Sequence, residues 1–330
     1  MKRFPLSIAI GTLLFAPGAE AQQSSNPIEI KEWEVPWGAE GRPRDPFAYE
    51  GRVWFVGQAG NYIAYLDPAS GEFKRYEIEE GTHPHNLIVD ERGVWYAGNR
   101  NGRIGLLNPE TGDLRTFMMP DQAARDPHTL VFADDGSLWF TVQQGGFIGH
   151  LVPSNGDVHL VKTPDRSRPY GINLDAKGQP WVVLFGTNQI VAVDPKSREM
   201  KTFATPRADA RLRRIEVTSD GIVWGVDFAK GFLVRLDPAT GQFKEWPMPS
   251  GEQSRPYGME VDDMDRLWFV ESGVQPNNFV GFDPKTESFF SVTPIPSGSG
   301  TVRHMHFDKT KREIWFGTDV GTIGKAVVPK

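Results

Sequence analysis

Apolar residues along this chain come in short runs of four or five, each broken by a polar turn. Val53-Trp54-Phe55-Val56 and Leu138-Trp139-Phe140-Thr141 are two such runs. Tryptophan marks seven of them, at Trp54, Trp95, Trp139, Trp181, Trp224, Trp268 and Trp315, a recurrence every 41 to 47 residues. Runs this short, rich in aromatic and β-branched residues, read as buried strands. Upstream of the tryptophans a turn opens another strand, as in Asp126-Pro127-His128-Thr129-Leu130, Arg168-Pro169-Tyr170-Gly171-Ile172 and Arg255-Pro256-Tyr257-Gly258-Met259. Downstream comes a third strand, as in Asn61-Tyr62-Ile63 and Gly102-Arg103-Ile104. An Asp-Pro or Asn-Pro turn with glycine behind it follows, for example Asp67-Pro68-Ala69-Ser70-Gly71. Proline presets the turn dihedral and glycine supplies positive φ. A fourth, alternating strand ends at another proline, as in Gly241 to Pro247.

Four strands per repeat, seven repeats and no helical period predict an all-β fold, a seven-bladed β-propeller of four-stranded blades. The last repeat runs out of chain after its third strand. Ile28 to Pro36 resembles a fourth strand, with the same alternation and terminal proline. The N-terminal strand is therefore expected to complete the last blade and close the ring, hiding two sheet edges. The repeated tryptophans are expected to pack blade against blade.

Composition changes the picture in three places. At 330 residues a simple length rule suggests two domains, but a propeller accommodates residues 22–330 as one. With 35 glycines and 26 prolines the chain exceeds the average shares of roughly 7 % and 5 %, as turn-rich β proteins do. A net charge of −6 argues against nucleic-acid binding, and the absence of cysteine excludes disulfides, thiolate metal sites and a cysteine nucleophile. Residues 1–21 read as a secretory signal peptide: Lys2 and Arg3, an apolar run from Leu6 to Ala16, then Ala19-Glu20-Ala21 as the cleavage pattern. That run is too short to span a membrane. The expectation is a periplasmic or secreted mature chain, monomeric because its edges are closed, with no membrane association after cleavage.

In a propeller the start of each blade's first strand and the end of its second meet at one mouth of the central channel. First-strand starts carry His83, His85, His128, Tyr170, Arg213, Arg214, Tyr257, Arg303 and His304. Second-strand ends carry Asn99, Gln143, Asp227, Glu271 and Asp319. Imidazoles and carboxylates at one mouth suit general acid–base work or a hard divalent cation held by oxygen. Deeper in the channel, Asn173, Glu216, Glu260 and His306 fall at one equivalent position in blades four to seven. Buried carboxylates there need a partner or a metal. No glycine-rich phosphate loop, nucleophile elbow or His-Glu-x-x-His motif occurs.

The repeat is similar to that of the streptogramin B lyase (virginiamycin B lyase) family. Arg255-Pro256-Tyr257-Gly258 with Leu267-Trp268-Phe269-Val270-Glu271, and Ile314-Trp315-Phe316-Gly317 with Ile323-Gly324-Lys325, carry the resemblance, which covers the mature chain. The resemblance implies a seven-bladed propeller that opens a cyclic depsipeptide at its ester by elimination, assisted by Mg²⁺. It implies a site of two histidines, two glutamates and a tyrosine. Here the tyrosine position falls on Phe47 and one histidine position on Tyr257. A Glu-Pro-His segment falls on Thr301-Val302-Arg303, with His304 one place later, and the last glutamate falls on Asp319.

Three readings follow. In the first, a lyase-like enzyme uses Asp319, His304, Glu271, Tyr257 and Arg303, with Asp319 and Glu271 toward Mg²⁺ and His85, His128, Tyr170, Arg213 and Asp227 contacting a small-molecule substrate. In the second, a lactonase-type hydrolase holds a channel metal through Asn173, Glu216, Glu260 and His306. In the third, the propeller binds a ligand at its mouth without turnover.

Overall fold

The computed structural model describes residues 26–330; the expected signal peptide lies outside the described residues. Seven four-stranded antiparallel sheets are present, six of them built from strands consecutive in sequence. The seventh joins Val302–Asp308, Glu313–Thr318 and Thr322–Val327 to the N-terminal strand Ile30–Glu34. That strand runs antiparallel to Thr322–Val327 with Ile30 opposite Ala326 and Glu34 opposite Thr322. The Glu32 carboxylate accepts from the Thr322 hydroxyl at 2.7 Å, adding a side-chain tie to the ladder. The predicted architecture and its closure are both present. Among the described residues no helix is long and apolar enough to cross a membrane.

The core lies between blades. Each of the seven hydrophobic clusters contains one repeat tryptophan and residues of the next blade: Trp95 with Leu138 and Phe140, for instance, and Trp268 with Met305 and Phe316. Trp315 of the last blade packs with Val53 and Phe55 of the first, completing the circle. The closing strand supplies the aromatic that a fourth strand supplies elsewhere. Trp33 stacks on Trp315 with centroids 5.5 Å apart, as Trp246 stacks on Trp224 at 5.5 Å. This contact explains why Ile28 to Pro36 resembles the strand ending at Pro247.

Candidate functional site at the channel mouth

Every innermost strand carries one irregularity near its start. Pairing with the second strand slips by one residue between Arg44 and Phe47, Pro84 and Leu87, Pro127 and Leu130, Pro169 and Ile172, Leu212 and Arg214, Pro256 and Met259, and Val302 and Met305. A bulge leaves a residue unpaired and re-aims its side chain. Seven bulges at one level make a ring. Its members are Asp45, His85-Asn86, His128-Thr129, Tyr170, Arg213, Tyr257 and Arg303-His304, with Arg44 and Arg214 flanking two of the slips. Five of the strands open with proline, at a strand position where a missing N–H costs no ladder bond. Gly171 lets blades four and five approach, because a Cβ there would meet the Arg213 carbonyl oxygen at 2.7 Å.

Contacts cross the ring. From blade five, Arg214 donates through Nε to the Arg303 carbonyl at 2.8 Å and through Nη1 to Thr129 Oγ1 at 3.1 Å. Its Nη2 lies 3.7 Å from the Asp45 carboxylate. Asp45, fully buried, accepts from Arg44 Nε at 2.9 Å and Asn86 Nδ2 at 3.1 Å. Burial works to raise the Asp45 pKa, yet the Arg44 and Arg214 guanidiniums hold it well below the usual carboxylate range. The rings of His85 and His128 lie 3.5 Å apart between centroids, and His128 meets Tyr170 at 4.2 Å. Burial, and then the neighbouring guanidiniums, push the pKa of both histidines well down; His304 falls to about 3 for the same reasons. These imidazoles are neutral at pH 7.

The hydroxyls of Tyr170 and Tyr257 are hydrogen-bonded to each other across the channel. Burial would raise both pKa values, but Arg213, Arg44 and Arg214 pull that of Tyr257 below a free phenol while Tyr170 stays above one. The Arg213 guanidinium lies over Phe228, Tyr257 and Phe185, at 3.9, 4.4 and 4.5 Å from the ring centroids. The guanidiniums thus favour the phenolate of Tyr257 over that of Tyr170, which keeps its proton more firmly.

Of the carboxylates named from the sequence, Asp319 joins these groups while Glu271 and Asp227 do not. Asp319 stands at the mouth, held by both arms of the Arg303 guanidinium, one of them at 2.7 Å. Glu271 is buried against its own blade, accepting from the Ser250 N–H at 2.8 Å, the Ser250 hydroxyl at 2.5 Å and Asn278 at 3.0 Å. Asp227 accepts from the Arg211, Ala229 and Lys230 N–H groups and so fixes a turn. The reason is register. Asp227 and Glu271 pair with Leu212 and Pro256, whereas Thr318 pairs with Val302 and Asp319 stands one residue beyond it. One residue of offset turns a strand side chain to the other face. His83 lies off the ring, its Nδ1 3.0 Å from the Gln58 carbonyl oxygen.

The Mg²⁺ that the resemblance implies does not fit these donors. Asp319 is occupied by Arg303, Glu271 by Ser250 and Asn278, and the ring beside Asp319 is itself rich in guanidiniums. Among the described residues no group of three or more His, Asp and Glu is placed to hold a metal ion. The deeper layer is likewise occupied. Asn173, Glu216, Glu260 and His306 do share one level, each opposite its blade's tryptophan. But Asn173 donates to Glu216, the Val261 and Phe307 N–H groups donate to Glu260, and His306 stacks on Phe47 at 4.0 Å.

Sequence reading singled out His85, His128, Tyr170, Arg213, Tyr257, Arg303 and His304, and the structure brings these seven together. It did not single out Arg44 and Asp45 as site residues, and it named Arg214 only as a strand start. The available signal was Pro43-Arg44-Asp45-Pro46, which aligns with Pro84-His85-Asn86 but hides its place in the repeat behind a second proline.

A closed seven-bladed propeller whose polar chemistry converges on one channel mouth is the class of protein that this fold and site define. The virginiamycin B lyase family model matches residues 88–326, and the chain belongs to that family. Among solved structures it is similar to a streptogramin B lyase, with 23 % identity, a TM-score of 0.80, and coverage of 91 % of this chain and 97 % of that one. The virginiamycin B lyase of Staphylococcus aureus gives 20 % identity and a TM-score of 0.81 over 92 % of this chain and all of that one. A catalytically inactive form of the S. aureus enzyme, with quinupristin, gives 21 % and 0.81 over the same shares. No curated protein matches the sequence.

Proposed function

We propose that this chain is an exported carbon–oxygen lyase acting on a small molecule at the channel mouth, with a tyrosine pair moving the protons and arginine as the electrophile. The observation that carries the reading is the Tyr170–Tyr257 hydroxyl pair beside Arg213 and Arg214. The deprotonated form of Tyr257, which the neighbouring guanidiniums favour, takes the proton α to a substrate carbonyl. The electron pair left on carbon forms the double bond, and the β carbon–oxygen bond breaks. Tyr170 gives its proton to the leaving oxygen. The hydrogen bond between the two hydroxyls then returns the proton from Tyr257 to Tyr170 and restores the starting state. The guanidiniums of Arg44 and Arg214 steady the enolate oxygen, the part of the reaction that gains from preorganised positive charge. The signal-peptide pattern supports export, and the closed ring supports a monomer.

The test is mass spectrometry of purified mature protein with a type B streptogramin and with small 3-acyloxy carboxylates, each with Mg²⁺ and with EDTA. The expected result is an unsaturated acid plus the released acid from a carboxylate substrate, total mass unchanged and rate unaffected by EDTA. Tyr257→Phe should lower that rate about 100-fold or more. Products heavier by one water would move the protein to the hydrolase class. Opening of the antibiotic only with Mg²⁺, undiminished in Tyr257→Phe, would overturn the tyrosine–arginine chemistry. Saturable binding without turnover would leave a binding propeller.

A further inference from the structure

The ring at the mouth is short of negative charge. Four guanidiniums, those of Arg44, Arg213, Arg214 and Arg303, meet two carboxylates, Asp45 and Asp319. Arg44 and Arg214 share Asp45, Asp319 serves Arg303, and Arg213 is in none of the ion pairs among the described residues, surrounded instead by aromatic rings. An ionised Tyr257 would offset one charge and leave an excess. Burying positive charge without a partner is expensive. Polar nitrogens are left over as well: the donors Arg44 Nη2, Arg214 Nη2 and Arg213 Nε, and the imidazole nitrogens His85 Nδ1, His128 Nε2 and His304 Nδ1, are buried without a hydrogen-bond partner in the protein. Unpaired guanidinium N–H groups gathered at one level of the channel suit an oxyanion, the partner that forms charge-assisted hydrogen bonds with them.

A second observation lies beside the ring. A cleft of about 730 Å³ opens on the same face between blades three and four, and Lys162, Arg166, Arg168 and Arg211 line it against one acid, Asp165. Phe185 is common to both places, forming part of the cleft wall and packing on Arg213. The Asp319 carboxylate, gripped by both arms of Arg303, shows the geometry in which this mouth holds an oxyanion.

We infer that the mouth and its cleft together form a site for a small polyacid, a molecule with one carboxylate or phosphate seated in the ring and another in the basic cleft. This rests on the proposed reading only in taking the mouth as the place where a small molecule binds; it does not require elimination. It names the substrate class that reading leaves open. A carboxylate beside the scissile bond is what an arginine electrophile recognises.

The experiment is isothermal titration calorimetry of the full mature chain at constant ionic strength in low-chloride buffer. Acetate, inorganic phosphate and propane-1,2,3-tricarboxylate are the probes. The tricarboxylate is expected to bind saturably and at least about tenfold more tightly than acetate, since two charge-assisted contacts replace one. Phosphate stronger than acetate, with the tricarboxylate strongest, places both oxyanion types in the class. Arg213→Met should weaken the tricarboxylate about 10- to 100-fold. Arg168→Ser, on the exposed cleft rim, should weaken it while leaving acetate unchanged, and this variant carries no folding risk from a buried site. No binding by any probe, equal binding of acetate and tricarboxylate, or indifference to both substitutions would overturn the inference. Tight binding without turnover would sustain it while removing the lyase chemistry. Turnover of a neutral ester with no affinity for acids would do the reverse.

Discussion

Glu216 and Glu260 lie at one level of adjacent blades below the mouth, with Asn173 bonded to the first and two backbone N–H groups to the second. Burial, and for Glu216 the neighbouring Glu260, raises both pKa values, that of Glu260 from 4.5 to about 8. A carboxyl raised by folding keeps its proton in the folded chain at pH values where the unfolded chain has lost it. Its contribution is therefore fully present below the unfolded pKa and is lost as pH rises through the folded one. Thermal stability should fall between about pH 4.5 and 8 from this pair. Glu216→Gln leaves the Asn173 bond possible and removes one of the two charges. Its Tm should match the parent at pH 5 and exceed it by a few degrees at pH 8.5; a pH-independent difference would refute the account. Composition and spacing made this layer legible, because its position is set by the tryptophan opposite. The carboxylates at the mouth were not legible to the same degree. Asp227, Glu271 and Asp319 look equivalent by eye, and only the pairing register separates the turn-binding pair from the residue that faces Arg303.

At the scale of the strand, the device that fits flat aromatic rings between blades is glycine on the third strand opposite an aromatic on the second. Gly149 stands opposite Phe140, Gly105 opposite Tyr96 and Gly324 opposite Phe316. A Cβ at Gly149 would lie only 2.1 Å from Phe140 Cζ. Gly149→Ala should cost about 1–3 kcal/mol in urea denaturation, the usual penalty for overpacking a tight core. Phe140→Leu in the same chain should recover part of it, and an additive double mutant would refute the pairing. Strand positions, turns and the blade count could all be read from the sequence, since each repeats a local chemical signature. The bulges could not. An extra residue in an inner strand leaves no composition mark, and the first blade replaces the usual aromatic or histidine with Arg44-Asp45-Pro46. Asp45 adopts φ +49° there, a conformation that Asp tolerates better than most side chains.

For the molecule as a whole, stability depends on one short strand. Removing residues 1–36 takes away Ile30–Glu34, the Trp33–Trp315 stack and the Glu32 bonds to Thr322 and Ser297. The Thr322–Val327 strand would then be an unpaired edge, open to a neighbour. The truncated protein should melt at lower temperature and self-associate in size-exclusion chromatography. A synthetic peptide spanning residues 28–36 should restore the monomer, and a truncated chain as stable as the parent would refute this role. The same strand sets an order of events. Glu32 and Thr322 are 290 positions apart, so the contact that completes the ring joins the first propeller strand in the chain to the last. Contacts that distant form slowly. Of the propeller's strands, the one synthesised first is thus the one that must wait, and until the final strand is delivered the ring is an open arc with one blade unfinished.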